Sequence, residues 1–414
     1  MSKTMAASHA VGKALSDAIF GASAVAQKAA AQYGAEKVTN ATIGAIIDDD
    51  EKLACIPTME NVFRSLPMSD IIAYAPISGL PGYLDTVVDL TFADQRPDGY
   101  YVAVATAGGT GAVHHAIANY SEIGDKVLTC DWFWGPYNAL CHEQGRELTT
   151  YQLFDENQNF NIADFTQKVG GLLKTQSSLL IIINTPAHNP TGYSLSEEDW
   201  AQVLDVCKTE IKNGNKKVSI LVDIAYIDYA GEKNEARKFM KQFSNLPDNL
   251  FIMFAFSMSK GYTMYGQRTG AIIGLSANKE IVDEFATVSK YTSRATWSNI
   301  NRGAMTVLTK IQQDAALLKQ FEAEREALYQ KIRERGAIFM KETAECGLNA
   351  LPYKAGFFLS IPANDPAAVC DKLQEDLIFA VPLKKGVRVA LCAVPAAKMY
   401  GMAQKIKNAW EAVK

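Results

Sequence analysis

Asn249-Leu-Phe-Ile-Met-Phe-Ala-Phe256 leads directly into Ser257-Met-Ser-Lys260-Gly-Tyr-Thr-Met-Tyr-Gly-Gln-Arg268. The first eight residues have the length and aromatic content of a buried strand. A lysine just past such a strand, preceded by two serines and followed eight residues on by an arginine, is unusual for a solvated loop. Its amine could form a Schiff base with an aldehyde cofactor. The hydroxyls and the guanidinium could then bind that cofactor's phosphate, the guanidinium bidentately. The same residues also read as an ordinary surface loop, since most lysines are solvated. The choice depends on whether other segments supply the remaining contacts.

Working upstream, four more apolar runs end in polar or glycine-bearing segments. Tyr101-Val-Ala-Val-Ala105 leads into Thr106-Ala-Gly-Gly-Thr-Gly111, and Lys126-Val-Leu-Thr-Cys130 into Asp131-Trp-Phe-Trp-Gly-Pro-Tyr137. Leu179-Leu-Ile-Ile-Ile183 leads into Asn184-Thr-Pro-Ala-His-Asn-Pro-Thr-Gly192, and Val218-Ser-Ile-Leu-Val222 into Asp223-Ile-Ala-Tyr226. Helical patterns lie between them, for example over residues 111–120 and 196–211. Continuous apolar runs alternating with helices predict an α/β fold with a largely parallel sheet covered on both faces. In open sheets of this kind ligands bind beyond the carboxyl ends of the strands. The five polar segments are therefore expected to converge on one site.

The flanks read differently. An alanine-rich N-terminal helix through about residue 37 precedes a short extended piece at 38–45 and an acidic turn at 48–51. Residues 58–72 look helical, 72–83 form a loop punctuated by proline and glycine, and a helix resumes near Leu84. Beyond Asn301 the residues Leu308, Ile311, Ala315, Leu318, Leu328 and Ile332 keep helical spacing through a charged segment. It reads as a connecting helix across a domain surface, with a coiled coil as the alternative. Strand patterns at 357–361, 378–381 and 387–391 and a closing helix from Ala396 suggest a smaller α+β unit. The expected division is residues 1–48 as N-terminal arm and part of the small domain, 49–310 as the large domain, and 311–414 as the small C-terminal domain.

Composition bounds the function. The chain has 414 residues, 48% hydrophobic and 21% charged, enough for a sizeable core. A net charge of −4 and no block of Lys and Arg argue against a nucleic-acid partner. Seven cysteines without a C-x-x-C pair suggest reduced thiols and an intracellular setting. The histidines show no metal-ligand spacing, His114 and His115 being merely adjacent, so no metal is expected. No stretch approaches the ~18 apolar residues of a membrane span. No arginine precedes Arg64, and Lys13 and Asp17 interrupt any apolar targeting core. The expectation is a cytoplasmic protein with no membrane association.

Each polar segment has a plain reading beside the functional one. Gly108-Gly-Thr-Gly111, between a strand and a helix, suits an anion site or a tight turn; it fits neither the dinucleotide fingerprint nor a P-loop. Asp223 ends an apolar run, where an uncompensated carboxylate is costly, so a cationic partner such as a pyridinium nitrogen is expected; a helix cap is the alternative. Tyr226 could hydrogen-bond a phenolate oxygen or simply pack. Asn189-Pro-Thr-Gly192 is a turn that could aim an amide at the same ligand. Trp134 could stack on a flat ring or belong to the core.

Together these segments resemble the pyridoxal-phosphate-dependent aminotransferases of fold type I, in the aspartate and aromatic branch of class I. The resemblance runs from about Asn40 to Cys392 and is carried by Asn189-Pro-Thr-Gly192, Asp223-x-x-Tyr226, Ser257-x-Ser-Lys260 and Arg268, in the family's order. It implies a large domain with a mostly parallel, seven-stranded-type sheet between helices, and a smaller α+β domain. It implies pyridoxal 5'-phosphate as cofactor, held as a Schiff base by Lys260, whose amine then shuttles the substrate's proton. Asp223 would keep the pyridine nitrogen protonated. Tyr226 and Asn189 would contact the ring oxygen, and Trp134 would stack on the ring. Gly109, Thr110, Ser257 and Arg268 would hold the phosphate, with Ser259 as a further contact. Arg388 would clamp the substrate α-carboxylate, with Ile43 and Gly44 closing over it.

Two further segments bear on substrate and assembly. Tyr74-Ala-Pro-Ile-Ser-Gly79 resembles the loop whose tyrosine reaches the neighbouring subunit's phosphate. Ser293-Arg294-Ala-Thr-Trp-Ser-Asn299 resembles the segment whose arginine crosses the interface to a side-chain carboxylate. If both matches hold, the resemblance implies a homodimer with composite sites, acting on amino acids and 2-oxo acids, aspartate and 2-oxoglutarate first. An aromatic aminotransferase, a pyridoxal-phosphate lyase or decarboxylase, and a cofactor-binding regulator are the alternatives. The chain departs from the family at Gly108, where relatives carry a serine, and at Ile300-Asn301-Arg302, where they carry prolines.

Overall fold

The computed structural model describes residues 4–14 and 18–413; Asp17 of the N-terminal stretch lies outside the described residues. In chain order the strands are β1 (Thr39–Asn40), β2 (Tyr100–Ala107), β3 (Lys126–Cys130), β4 (Glu147–Tyr151), β5 (Ser178–Asn184), β6 (Lys217–Asp223), β7 (Leu250–Ser257) and β8 (Thr269–Ser276). There follow β9 (Phe358–Pro362), β10 (Ile378–Phe379), β11 (Val381–Leu383) and β12 (Gly386–Ala390). The main sheet has seven strands in the order β2-β8-β7-β6-β5-β3-β4. Only β8 runs antiparallel to its neighbours. The fold is α/β, with a mostly parallel central sheet flanked by helices.

All five apolar runs become strands of this sheet, and its two faces divide their side chains. Leu179, Ile181 and Ile183 of β5 enter one core with Phe165, Trp200 and Val203 of the helices on that side. Leu180 and Ile182 enter the opposite core with Val113, Ile117 and Phe285. Burying both faces removes the period-two alternation and leaves unbroken apolar runs. Each such aliphatic side chain contributes about 1.5–3 kcal/mol of burial.

The sequence pattern does not single out β4 or β8. β4 is the edge strand, half-exposed along most of Glu147-Leu-Thr-Thr-Tyr151, so its apolar signal is weak. β8 is buried throughout but interrupted by Gly270 and Gly274. A Cβ at Gly270 would lie 2.5 Å from the Phe256 carbonyl, and one at Gly274 2.7 Å from the Phe285 ring. Close packing on both sides requires glycine there.

The register places the site. Asn184 pairs with Asp223, and Asp223 with Ala255, across β5, β6 and β7. Ser257 pairs with Gly270, and Gly270 with Thr106, across β7, β8 and β2. The polar segments after β2, β3, β5, β6 and β7 thus emerge along one edge.

Several helices differ from the periodicity. The helix expected over 58–72 is two pieces, Pro57–Ser65 and Met68–Ile72, because Pro67 breaks the hydrogen-bond ladder between them. The next helix begins at Pro81 rather than near Leu84, with proline in its first turn. The charged segment forms Arg302–Gln313 and Ala315–Cys346, divided where Asp314 accepts from the amides of Ala316 and Leu317. The closing helix is likewise split, into Ala396–Met399 and Met402–Ala412, at left-handed Gly401.

The three-stranded antiparallel sheet β11-β12-β9 and the pair β1-β10 form outside the main sheet. A separate core there joins Leu359, Val389 and Ile406 to Phe339 of helix Ala315–Cys346. Helix Ala18–Tyr33 packs Ala26 and Ala29 against Val38 and Phe379. Among the described residues no helix is long and apolar enough to cross a membrane.

Candidate active site

The strand ends enclose a cleft of about 170 Å³. Gly109, Thr110, Ser257, Ser259 and Arg268 line one end of it. Trp134, Asn189, Asp223, Tyr226 and Lys260 line the rest. Ten residues singled out from scattered segments therefore share one cavity.

Lys260 follows β7 in a turn braced from below: the Tyr229 hydroxyl lies 3.4 Å from its carbonyl. Its Nζ donates to the Gly44 carbonyl and sits between the rings of Tyr265, Tyr226 and Phe357, 5.0–5.8 Å from their centroids. Burial lowers the amine's pKa to about 8; nearby Arg388 and Arg268 push the same way, and the Cys392 thiol opposes them. A lysine so placed has an accessible neutral form, the form that attacks a carbonyl.

Asp223 is buried at the carboxyl end of β6. Its Oδ2 accepts from the Tyr137 hydroxyl at 2.6 Å, and its Oδ1 from the Ala225 amide at 3.2 Å. Burial raises its pKa and these two donors lower it. Among the described residues it has no ion-pair partner. A buried carboxylate that borders the cleft and forms no ion pair suits a protonated ring nitrogen.

The ring-oxygen candidates are also joined. Asn189 Nδ2 donates to the Tyr226 hydroxyl at 3.2 Å, and the Asn189 amide donates to Asn184 Oδ1 at 2.7 Å. Asn184 in turn donates to the Asp223 carbonyl at 2.8 Å, tying the ends of β5 and β6. Trp134 meets Tyr137 edge-on, with centroids 5.4 Å apart.

At the other end, helix Gly108–Tyr120 points its N-terminus at the cleft, where free amides and the helix dipole favour an anion. Arg268 is held there by Nη1 donating to the Tyr265 carbonyl at 2.9 Å and to Ser259 Oγ at 3.3 Å. Gly108 has φ +68°, and a Cβ on it would lie 2.8 Å from Arg268 Nη2. The departure from serine at this position therefore matches the close approach of the guanidinium. Aldehyde-reactive amine, carboxylate and anion cradle together fit pyridoxal phosphate.

Arg388, buried in β12, donates from Nη2 to the Thr42 carbonyl at 2.6 Å and from Nη1 to Asn189 Oδ1 at 3.4 Å. Its guanidinium lies 4.4 Å over the Phe358 ring. Ile43 accepts from the Cys392 thiol at 3.7 Å, so the segment 42–44 covers this end of the cleft. Tyr74 and Arg294 are not brought to it within one chain. Tyr74 is 88% exposed, and exposed Arg294 donates to Ser298 Oγ. Asn301 caps helix Arg302–Gln313 by accepting from the Ala304 amide at 3.1 Å.

Tyr137, Asn184 and Tyr265 join the site without having been singled out. Tyr137 sits three residues after Trp134 in the aromatic segment, the one signal that pointed to it. Cys130 and His188, 3.6 Å apart, superficially suggest a nucleophile and base. Burial raises the thiol's pKa and lowers the imidazole's to about 3, so both are neutral core groups.

A fold with this sheet and a lysine–aspartate–arginine cleft defines a pyridoxal-phosphate-dependent transferase. Residues 36–406 match the aminotransferase class I and II family, and the chain belongs to it. It is similar to an aminotransferase from Anaerococcus prevotii at 36% identity, with a TM-score of 0.96 over 99% of this chain and 100% of that one. It is 25% identical to the cytoplasmic aspartate aminotransferase of Dictyostelium discoideum over 285 residues, 67% of this chain and 62% of that enzyme. It is equally 25% identical to the aromatic-amino-acid aminotransferase of Paracoccus denitrificans over 279 residues, 66% of this chain and 68% of that one.

Proposed function

We propose that this enzyme moves an amino group between an acidic amino acid, aspartate first, and 2-oxoglutarate. The observation that carries the reading is Lys260 Nζ placed in one cleft with Asp223 and Arg268, with Arg388 beside it. Bound pyridoxal phosphate supplies the exchangeable carbonyl and a ring that withdraws electrons from the substrate Cα. Lys260 would hold the cofactor through its Nζ, and its amine would carry the proton to and from the substrate Cα. Asp223 would keep the ring nitrogen protonated, while Tyr226 and Asn189 would bind the ring oxygen. Gly109, Thr110, Ser257, Ser259 and Arg268 would hold the phosphate, and Trp134 would cover the ring. Arg388 takes the α-carboxylate, and Ile43 and Gly44 exclude water above it.

The working unit is a cytoplasmic homodimer in which Tyr74 and Arg294 serve the other copy's site. Met68, Ile72 and Tyr74 are 65–88% exposed, apolar surface that suits such an interface. The division at residues 48 and 310 follows two largely separate cores, although Ile311, Phe321 and Leu351 pack into the main-sheet core from beyond residue 310. Aromatic donors form the second reading, favoured by the contact of Arg294 with Ser298 and the unusual flank at Ile300. An amino-donor panel with 2-oxoglutarate on wild type and Arg294→Ala separates the two. Loss confined to dicarboxylic donors is expected; a wild-type preference for phenylalanine in kcat/KM would sink the aspartate assignment.

A further inference from the structure

We infer that Tyr137 is the positioning residue of this enzyme, its hydroxyl setting the direction and the charge of the Asp223 carboxylate. The inference rests on the reading that Asp223 faces the cofactor's ring nitrogen. Tyr137 is fully buried near the start of helix Pro136–Glu143, where its amide donates to the Trp134 carbonyl at 2.9 Å. Its hydroxyl reaches Asp223 Oδ2 at 2.6 Å, in the range of a charge-assisted bond. Its ring meets Trp134 edge-on at 87°. One side chain therefore joins the carboxylate proposed to meet the ring nitrogen to the indole proposed to cover the ring.

The Asp223 carboxylate has two donors, and they differ in kind. The Ala225 amide, two residues on, is a local turn contact at 3.2 Å. Tyr137 comes from 86 residues away and makes the shorter bond. With the Ala225 amide on Oδ1, the Tyr137 hydroxyl determines how Oδ2 is turned. A buried carboxylate without a donor on one oxygen takes up a proton more readily and turns more freely. The titratable groups facing the pair are the Cys130 thiol at the end of β3 and the Tyr226 phenol after β6, both kept neutral by burial. Lys260 lines the same cleft from β7, while β5 and β7 present uncharged Asn184 and Ala255 as register partners.

The test uses the holoenzyme with Tyr137→Phe and with 3-fluorotyrosine incorporated at position 137. The phenylalanine variant is expected to lose about tenfold in kcat with little change in KM. Its acid limb of kcat should move to higher pH, because Asp223 then protonates sooner. The ¹⁵N resonance of labelled pyridoxal phosphate in that variant should move toward the unprotonated pyridine value. The fluorinated residue keeps the ring packing but donates more strongly, so its acid limb should move to lower pH. It reads the hydroxyl alone, even if the phenylalanine variant folds poorly. Wild-type acid limbs and a wild-type resonance in both proteins would overturn the inference and leave Tyr137 a packing residue. A wild type with no amino transfer and no visible band of lysine-bound cofactor would overturn the proposed function itself, a separate result.

Discussion

At Lys260 the physical chemistry is a competition between solvation and reactivity. Burial makes the ammonium costly, so the amine titrates at about 8 instead of the 10.5 of a free lysine. Arg388 and Arg268 add to the effect, and the Cys392 thiol partly offsets it. Because the neutral amine is the nucleophile, capture of pyridoxal phosphate by the cofactor-free protein should quicken as pH rises and level off above about 8. Stopped-flow absorbance across pH 6–10.5 would show this; a rise centred near 10.5 would contradict it. Lys260→Ala should abolish both turnover and the visible band, and a variant keeping both would refute the mechanism. The lysine and its serines were legible because their chemistry is contiguous in sequence. Tyr137 was not, because its partner lies at the end of a strand 86 residues away.

Among the elements, the turns behind the cleft are the most constrained. A Cβ at Gly261 would lie 2.1 Å from Asp228 Oδ2. That carboxylate is buried between Arg237 at 3.0 Å and Arg325 at 3.4 Å, and the two arginines hold its pKa low against the opposing effect of burial. Gly261→Ala must displace the aspartate or the Lys260 turn, and disturbing a buried ion cluster costs about 3–5 kcal/mol. Thermal unfolding should show a clear drop in Tm; an unchanged Tm would mean that the turn relaxes freely. Gly108→Ser places a side chain against Arg268 at a left-handed backbone position, where strain costs about 1–3 kcal/mol. Equilibrium dialysis should find pyridoxal phosphate held about tenfold less tightly, and equal retention would show that Arg268 moves aside.

At the scale of the whole molecule, the proposed homodimer is tested through Arg294. If Arg294 serves the partner's cleft, Lys260→Ala and Arg294→Ala subunits complement each other. In a mixed dimer, one cleft combines the intact Lys260 of one chain with the intact Arg294 of the other. Mixing the two proteins under subunit exchange should restore part of the aspartate activity that neither has alone. No recovery in a verified mixed dimer would show that Arg294 does not serve the partner's cleft. The same arrangement predicts sedimentation at twice the chain mass of 45.2 kDa.

The α/β class, five strands of the main sheet and ten of the cleft residues could be read from the chain, because each follows from a contiguous pattern. An apolar run buried on both faces looks the same wherever its neighbours lie, and a polar segment at its end has one edge of the sheet to occupy. Long-range geometry was not legible in that way. Gly44 meets Lys260 across 216 residues, Thr42 meets Arg388 across 346, and Tyr137 meets Asp223 across 86. Such contacts depend on strand register and on which loops pack together, and no local pattern encodes either. β8 was hidden for the same reason: its glycines answer to Phe256 and Phe285, close neighbours that exist only once the sheet has formed.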